Sequence, residues 1–142
     1  MLKLKPVTPT KENINLLVTW RRKVHKLWKD DFYATFDSTK KWLSTRKIYF
    51  VVDDGVKVGQ IGYDLGRDGF YIGYLIRGRG KRNGAMTVAV FRLIVFGVAA
   101  YGRVFLEVLP SNTNSIEFYK RIGFKIVGKS VKYLKMKYEN PC

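Results

Sequence analysis

The spacing of apolar positions changes several times along the chain, and each change marks an element. Leu2-Lys3-Leu4 alternates, as a short strand does. From Glu12 the period lengthens, and Ile14, Leu17, Val18, Arg21, Val24 and Trp28 recur at helical spacing. Asp37-Ser38-Thr39 supplies capping residues ahead of Trp42 and Leu43, which predicts the start of a second helix. A β-rich run over 48–52 follows, then the turn signal Asp53-Asp54-Gly55 and a strand over 56–65. Gly66-Arg67-Asp68-Gly69 is a second turn, leading into a strand over 70–76. A long apolar helix is predicted over 85–101, closed by Gly102. A strand over 104–109, a short helix over 115–122 and two strands within 124–128 and 131–138 complete the chain. The order β-α-α-β-β-β-α-β-α-β-β predicts a mixed α/β (α+β type) fold. Its sheet is expected to be mostly antiparallel, with six to seven strands flanked by about four helices.

Without an internal repeat, low-complexity tract or linker, residues 1–142 read as one domain. Hydrophobic residues make up 46% and aromatics 15%, too apolar for a disordered chain. The longest apolar stretch, within 88–101, is interrupted by Arg92 and glycine and is shorter than the roughly 18 residues of a membrane span. The first residues lack the apolar core of a secretory signal, and the only cysteine, Cys142, has no partner for an intrachain disulfide. A reducing, cytoplasmic location is the expectation. One histidine, His25, and one terminal cysteine make no metal-ligand cluster, and no metal is expected.

Charge changes the picture. Lys and Arg number 27 against 11 Asp and Glu, a net +16. The excess is distributed: +8 over residues 1–50, +3 over 51–100 and +5 over 101–142. Such a field favours polyanions, whether nucleotide cofactors, nucleotide-sugars, nucleic acid or anionic membranes, without choosing among them. Solvated lysines without a partner account for it equally well.

The most informative segment is a strand, then a basic glycine-rich loop, then a long helix. Glycines allow close backbone approach to a ligand, and the free N–H groups of a helix's first turn attract anions. Arg77, Arg79, Lys81 and Arg82 add charge-assisted bonds suited to phosphate oxygens. No Gly-Lys-Ser/Thr ends the loop, so it is not a P-loop, and Arg82 and Asn83 break the Rossmann spacing after Gly78 and Gly80.

These residues, with a later block, resemble the Gcn5-related N-acetyltransferase (GNAT) superfamily. Its cofactor motif, Arg/Gln-x-x-Gly-x-Gly/Ala, corresponds to Arg79-Gly80-Lys81-Arg82-Asn83-Gly84, departing at Arg82 where the family usually has glycine. About 30 residues on, Val108, Asn112, Ser115, Ile116, Phe118, Tyr119, Gly123 and Phe124 match the family's later helix and strand. The resemblance covers roughly residues 48–138. More loosely, Trp20-Arg21-Arg22 and Trp42 resemble the subgroups that acetylate amino groups on nucleotide-activated sugars or ribosomal-protein N-termini.

The resemblance implies an acetyl-CoA-dependent N-acetyltransferase, with acetyl-CoA as acyl donor and no metal. It implies that a backbone N–H of Leu75 or Ile76 meets the thioester carbonyl. Arg77, Arg79, Gly80, Lys81, Arg82, Asn83, Gly84 and Ala85 are then expected to hold the pyrophosphate, Asn112 to contact the pantetheine or orient the neighbouring loop, and Ser115 to join in binding the cofactor. Tyr119 is implied as the acid that protonates the departing sulfur; its alternative is an aromatic under the last helix. Asn112 is equally a helix N-cap. For the base, Glu107, Asp64 and Tyr74 remain open, Glu107 being equally suited to an ion pair. Trp20, Arg21 and Tyr74 are expected on the acceptor side, and His25 is expected to be structural.

Three functional readings follow. The first is acetylation of a small amine, preferably an amino-sugar nucleotide whose diphosphate the excess cations would bind. The second is the same chemistry on a protein amine or nucleic-acid base. The third is a non-catalytic nucleic-acid-binding module, against which Tyr119 and Asn112 speak, as does the lack of a known nucleic-acid motif. Monomer and homodimer both remain open.

Overall fold

Among the described residues seven strands join in one sheet, in the order β1-β2-β3-β4-β5-β7-β6. The computed structural model describes residues 1–24, 33–78 and 84–139. The strands are β1 (Leu2–Pro6), β2 (Lys47–Asp53), β3 (Val56–Leu65), β4 (Phe70–Arg77), β5 (Val104–Val108), β6 (Phe124–Lys129) and β7 (Leu134–Tyr138). The helices are α1 (Lys11–Val24), α2 (Phe36–Ser44), α3 (Ala85–Tyr101) and α4 (Thr113–Ile122). Only β4 and β5 are parallel; every other neighbouring pair is antiparallel. Order and class agree with the hydrophobic pattern. Trp28 and His25, placed by sequence on or near the first helix, lie outside the described residues.

Local chemistry explains the boundaries. The cap of α2 is Thr35, two residues ahead of the expected Asp37. Its hydroxyl accepts from Ser38 N at 3.2 Å while Ser38 Oγ accepts from Thr35 N at 2.9 Å, so two orphan donors are satisfied at once. Asp37 instead sits in the first turn, where its charge complements the helix's positive end. Asp54 and Gly55, both at positive φ (49° and 80°), make the tight β2–β3 hairpin turn. In α3, Gly97 permits close packing on the sheet. A Cβ there would lie 2.6 Å from the Phe70 ring and 2.7 Å from Val104 Cγ2.

The sheet separates two cores. One gathers α3 and α4 with Val51, Ile61, Phe70, Ile72, Leu106 and Met136. The other gathers α1 and α2 with Ile48, Phe50, Val52 and Ile76. Strand β2 shows the period-2 logic, with Ile48, Phe50 and Val52 on one face and Val51 on the other.

Strand β4 does not keep that period. Gln60 opposes Ile76 but Gly62 opposes Gly73, so β4 carries one extra residue, a bulge. Ahead of it, Phe70 and Ile72 pack into the α3/α4 core; beyond it, Tyr74 and Ile76 pack into the α1/α2 core. Tyr74 lies in the bulge at φ 60°. On its other side β4 pairs with β5 only through Phe70↔Val104 and Tyr71↔Phe105, after which the two strands part.

Candidate active site

The parting of β4 and β5 opens a cleft of about 520 Å3. Ile72, Gly73, Tyr74 and Leu75 line it from β4, Glu107 and Val108 from β5, and Asn112, Ser115 and Tyr119 from α4 and its cap. A second cavity of about 380 Å3 is lined by Ile76, Arg77, Met86, Asn114 and Phe118. Leu75, Asn112 and Ser115 are walls of both. The parted strands, the two cavities and the start of α3 together suit an extended ligand with an anionic end.

Helix α3 begins at Gly84, which takes φ 84°, a conformation suited to glycine. Among the described residues no side chain caps the helix, and no acidic residue stands in its first turn, an arrangement suited to an anion at its leading N–H groups. Ala85 is buried at that start, and Arg77 is exposed at the end of β4. The expected phosphate-binding residues Arg79, Gly80, Lys81, Arg82 and Asn83 lie outside the described residues. Among the described residues no group of His, Cys, Asp and Glu could hold a metal ion.

Tyr119 is 6% exposed, its ring edge-on to Phe118 at 5.4 Å and to Phe124 at 5.7 Å. Its hydroxyl has no hydrogen-bond partner among the described residues, and burial pushes its pKa above the usual tyrosine value. Asn112 both lines the cleft and caps α4, its Oδ1 accepting from Ser115 N at 3.4 Å. Glu107 is half-buried on the β5 wall.

Opposite α4, Asp64, Arg46, Arg67 and Tyr74 line the same cleft. The Tyr74 hydroxyl donates to Asp64 Oδ2. Burial, then that bond, raises the Tyr74 pKa, while the Arg46 guanidinium works against the shift. Asp68 anchors the β3–β4 turn: it accepts from Lys135 Nζ and, at 2.8 Å, from the Tyr71 hydroxyl. The Lys135 bond first, and the Tyr71 bond second, hold its carboxyl below the usual range.

Trp20 and Arg21, expected beside the acceptor, line neither cavity. Trp20 is buried edge-on against Phe50 at 5.8 Å. Arg21 is buried, donating from Nη1 to Thr39 Oγ1 at 3.0 Å, its guanidinium 4.3 Å from the Trp42 ring centroid. Arg22 donates from Nε to the Ala34 carbonyl at 2.8 Å. The Trp-Arg-Arg run thus joins α1 to α2 and the segment before it. Trp20 also touches β4 where it ends: a Cβ on Gly78 would stand 2.5 Å from the Trp20 ring.

Sequence reasoning missed Gln60, Arg46, Asp68, Tyr71 and Gly73. A glutamine among the apolar residues of β3 was a signal for the first. The others could be found only once β4, the β3–β4 turn and the α2–β2 connection were assembled.

An N-acetyltransferase architecture is what this parted β4–β5 pair and its flanking helices define. Residues 15–124 match the model of the Acetyltransferase (GNAT) family, and the chain belongs to that family of N-acetyltransferases. No curated protein is significantly similar to it in sequence. Among solved structures, FdhC, described as a nucleotide-linked sugar GNAT, superposes with TM-score 0.77 at 15% identity, over 96% of this chain and 85% of that one. Campylobacter jejuni N-acetyltransferase PseH, in complex with acetyl coenzyme A, gives 0.71 at 17% identity, over 98% and 99%. RimL, a ribosomal alpha-N-protein acetyltransferase in complex with coenzyme A, gives 0.75 at 17% identity, over 96% and 92%. At these identities the likeness is one of fold.

Proposed function

We propose that the chain transfers an acetyl group from acetyl-CoA to a primary amine by direct attack within a ternary complex, the acceptor being an amino sugar carried on a nucleotide. The observation that carries the reading is the early parting of β4 from β5, with Tyr119 and Glu107 on the wall of the space it opens. When bound there, acetyl-CoA supplies an activated acyl group and a thiolate leaving group.

The protein's part is to bind and to move protons. Backbone N–H groups at Leu75 or Ile76 offer the thioester oxygen a donor as its charge develops. Gly84, Ala85 and Arg77 offer the pyrophosphate the helix start and a cation. Asn112 and Ser115 border the path between the two cavities. Glu107 takes a proton from the acceptor's ammonium, directly or through water, and so frees the amine that attacks the thioester carbon. As the carbon–sulfur bond breaks, Tyr119 gives its proton to sulfur; burial keeps that hydroxyl protonated until it is needed.

On the acceptor side, Arg46 and Arg67 share a wall with Asp64. Cations beside a carboxylate suit an acceptor with both an amine and an anionic group, as an amino-sugar nucleotide has. The description of FdhC as acting on a nucleotide-linked sugar supports the same choice. The net charge of +16 and the likeness to RimL favour a protein amine as the second reading.

Calorimetry with acetyl-CoA tests the donor half, on wild type and on Gly84→Ala and Gly84→Glu. Both variants share the strain of φ 84°, so only the second adds bulk and charge at the helix start. Binding kept in the first and lost in the second is expected. No binding by the wild type overturns the reading.

A further inference from the structure

Only Tyr74 and Asp54 combine a side chain with positive φ among the described residues, and Asp54 belongs to a hairpin turn. A tyrosine held at φ 60° persists only where its surroundings over-determine it. Those surroundings are visible. Gln60, completely buried on β3, donates from Nε2 to the Tyr74 carbonyl at 3.0 Å. Its Oε1 has no partner among the described residues. A buried amide that uses one of its polar ends is costly, so an apolar residue would serve packing better. What this position supplies is a donor for the bulge carbonyl.

The ring is held from other sides too. Trp42 meets it edge-on at 5.4 Å, and the Arg46 guanidinium lies 6.0 Å from its centroid. A Cβ at Gly62 would approach Tyr74 Cδ2 to 3.1 Å, so the glycine leaves room for it. All these contacts set the hydroxyl against Asp64 on the wall of the cleft. The carboxylate keeps further acceptor capacity after that bond.

The charge setting gives the pair a purpose. A protonated amine entering a chain of net charge +16 is repelled at long range, and Arg46 and Arg67 lie on the same wall. It needs a local counter-charge to dwell beside the acyl donor.

We propose that Asp64 is the seat of the acceptor's ammonium group, with Tyr74 fixing the carboxylate and Gln60 acting as the positioning residue that fixes Tyr74. The proposal rests on the acetyltransferase reading. It separates the residue that binds the amine, Asp64, from the one that takes its proton, Glu107.

The test uses the full chain with acetyl-CoA and three probe amines: a UDP-linked amino sugar, spermidine, and a short peptide with a free N-terminus. Thiol release gives KM and kcat for each substrate. With the amine that the wild type accepts, Asp64→Asn is expected to raise the amine KM about 10- to 100-fold, the worth of a charge-assisted bond. The acetyl-CoA KM stays unchanged and kcat moves less than about threefold, since what is lost is uniform binding. Tyr74→Phe shifts the same constant by a smaller factor. Gln60→Leu does likewise in the wild-type background and adds nothing once Asp64 is Asn, the non-additivity of residues acting as one unit. Should Gln60→Leu not fold, the Asp64 and Tyr74 variants decide. An unchanged amine KM in Asp64→Asn overturns the seat while leaving the acetyltransferase reading intact. No transfer to any probe by a wild type that binds acetyl-CoA overturns both the acceptor reading and the seat.

Discussion

Ile72 and Tyr74 stand two residues apart on β4 yet pack into opposite cores, Ile72 against α3 and α4 and Tyr74 against α1 and α2. In a regular strand, residues at that spacing share a face. The extra residue of the bulge reverses the facing. It therefore turns Tyr74 toward α2 and Asp64, while β4 opens away from β5 beyond Tyr71. One local irregularity thus shapes one wall of the cleft.

Tyr119→Phe separates chemistry from packing. The Tyr119 ring contacts with Phe118 and Phe124 survive the change and no hydrogen bond among the described residues is lost. Stability is expected to stay within about 1 kcal/mol, while kcat falls by roughly 10²- to 10⁴-fold. Steady-state kinetics beside a urea melt check this. A kcat within a factor of two would remove Tyr119 from the reaction.

The same tyrosine gives the chain an alkaline limit. Burial raises the folded pKa of Tyr119, so in the folded state the proton is held at pH values where the unfolded chain has released it. The folded state binds more protons than the unfolded state once pH exceeds about 10, so stability falls as pH rises from there and is flat below about 9. Denaturant melts between pH 8 and 11 should show that decline, shallower in Tyr119→Phe. Equal slopes in the two proteins would contradict it.

Asp68 behaves in the opposite sense. Its pKa is lowered by Lys135 first and Tyr71 second, so its stabilisation is present above the usual carboxylate pKa and lost as pH falls through the folded value. Asp68→Asn should melt below wild type at pH 7, with the difference closing under acid. The carboxylate is exposed and the effect should also shrink with added salt.

Gly73 lines the cleft, and a Cβ there would meet nothing within 4 Å. Gly73→Phe is expected to fold normally and to lose at least about tenfold in kcat/KM by occupying reaction space. Normal melting with normal turnover would show that the substrates do not pass Gly73.

Gly78→Ala is the converse case. Its Cβ would stand 2.5 Å from the Trp20 ring, and a buried indole has little room to retreat. A loss of about 1–3 kcal/mol is expected from overpacking, read as a lowered melting midpoint. An unaltered midpoint would mean that Trp20 is free to move.

The order of elements, the mostly antiparallel sheet with its flanking helices and the membership in an acetyltransferase family were already legible in the chain. Hydrophobic period, turn residues and caps act over a few positions, and the block from Val108 to Phe124 keeps its spacing within one strand, loop and helix. Tyr119 and Asn112 could therefore be named from sequence as candidates, and both line the cleft. The roles read into Trp20 and Arg21 had no such footing: their helical spacing is as consistent with the buried packing that holds them between α1 and α2 as with a cleft. Tertiary structure alone decided which residues share the cleft wall opposite Tyr119. Asp64 and Gln60 come from β3, Tyr74 from β4 and Arg46 from the α2–β2 connection, and a single inserted residue in the register of two strands determines whether they meet. A register is set by pairing energies summed along both strands, so the alternation within either one does not contain it.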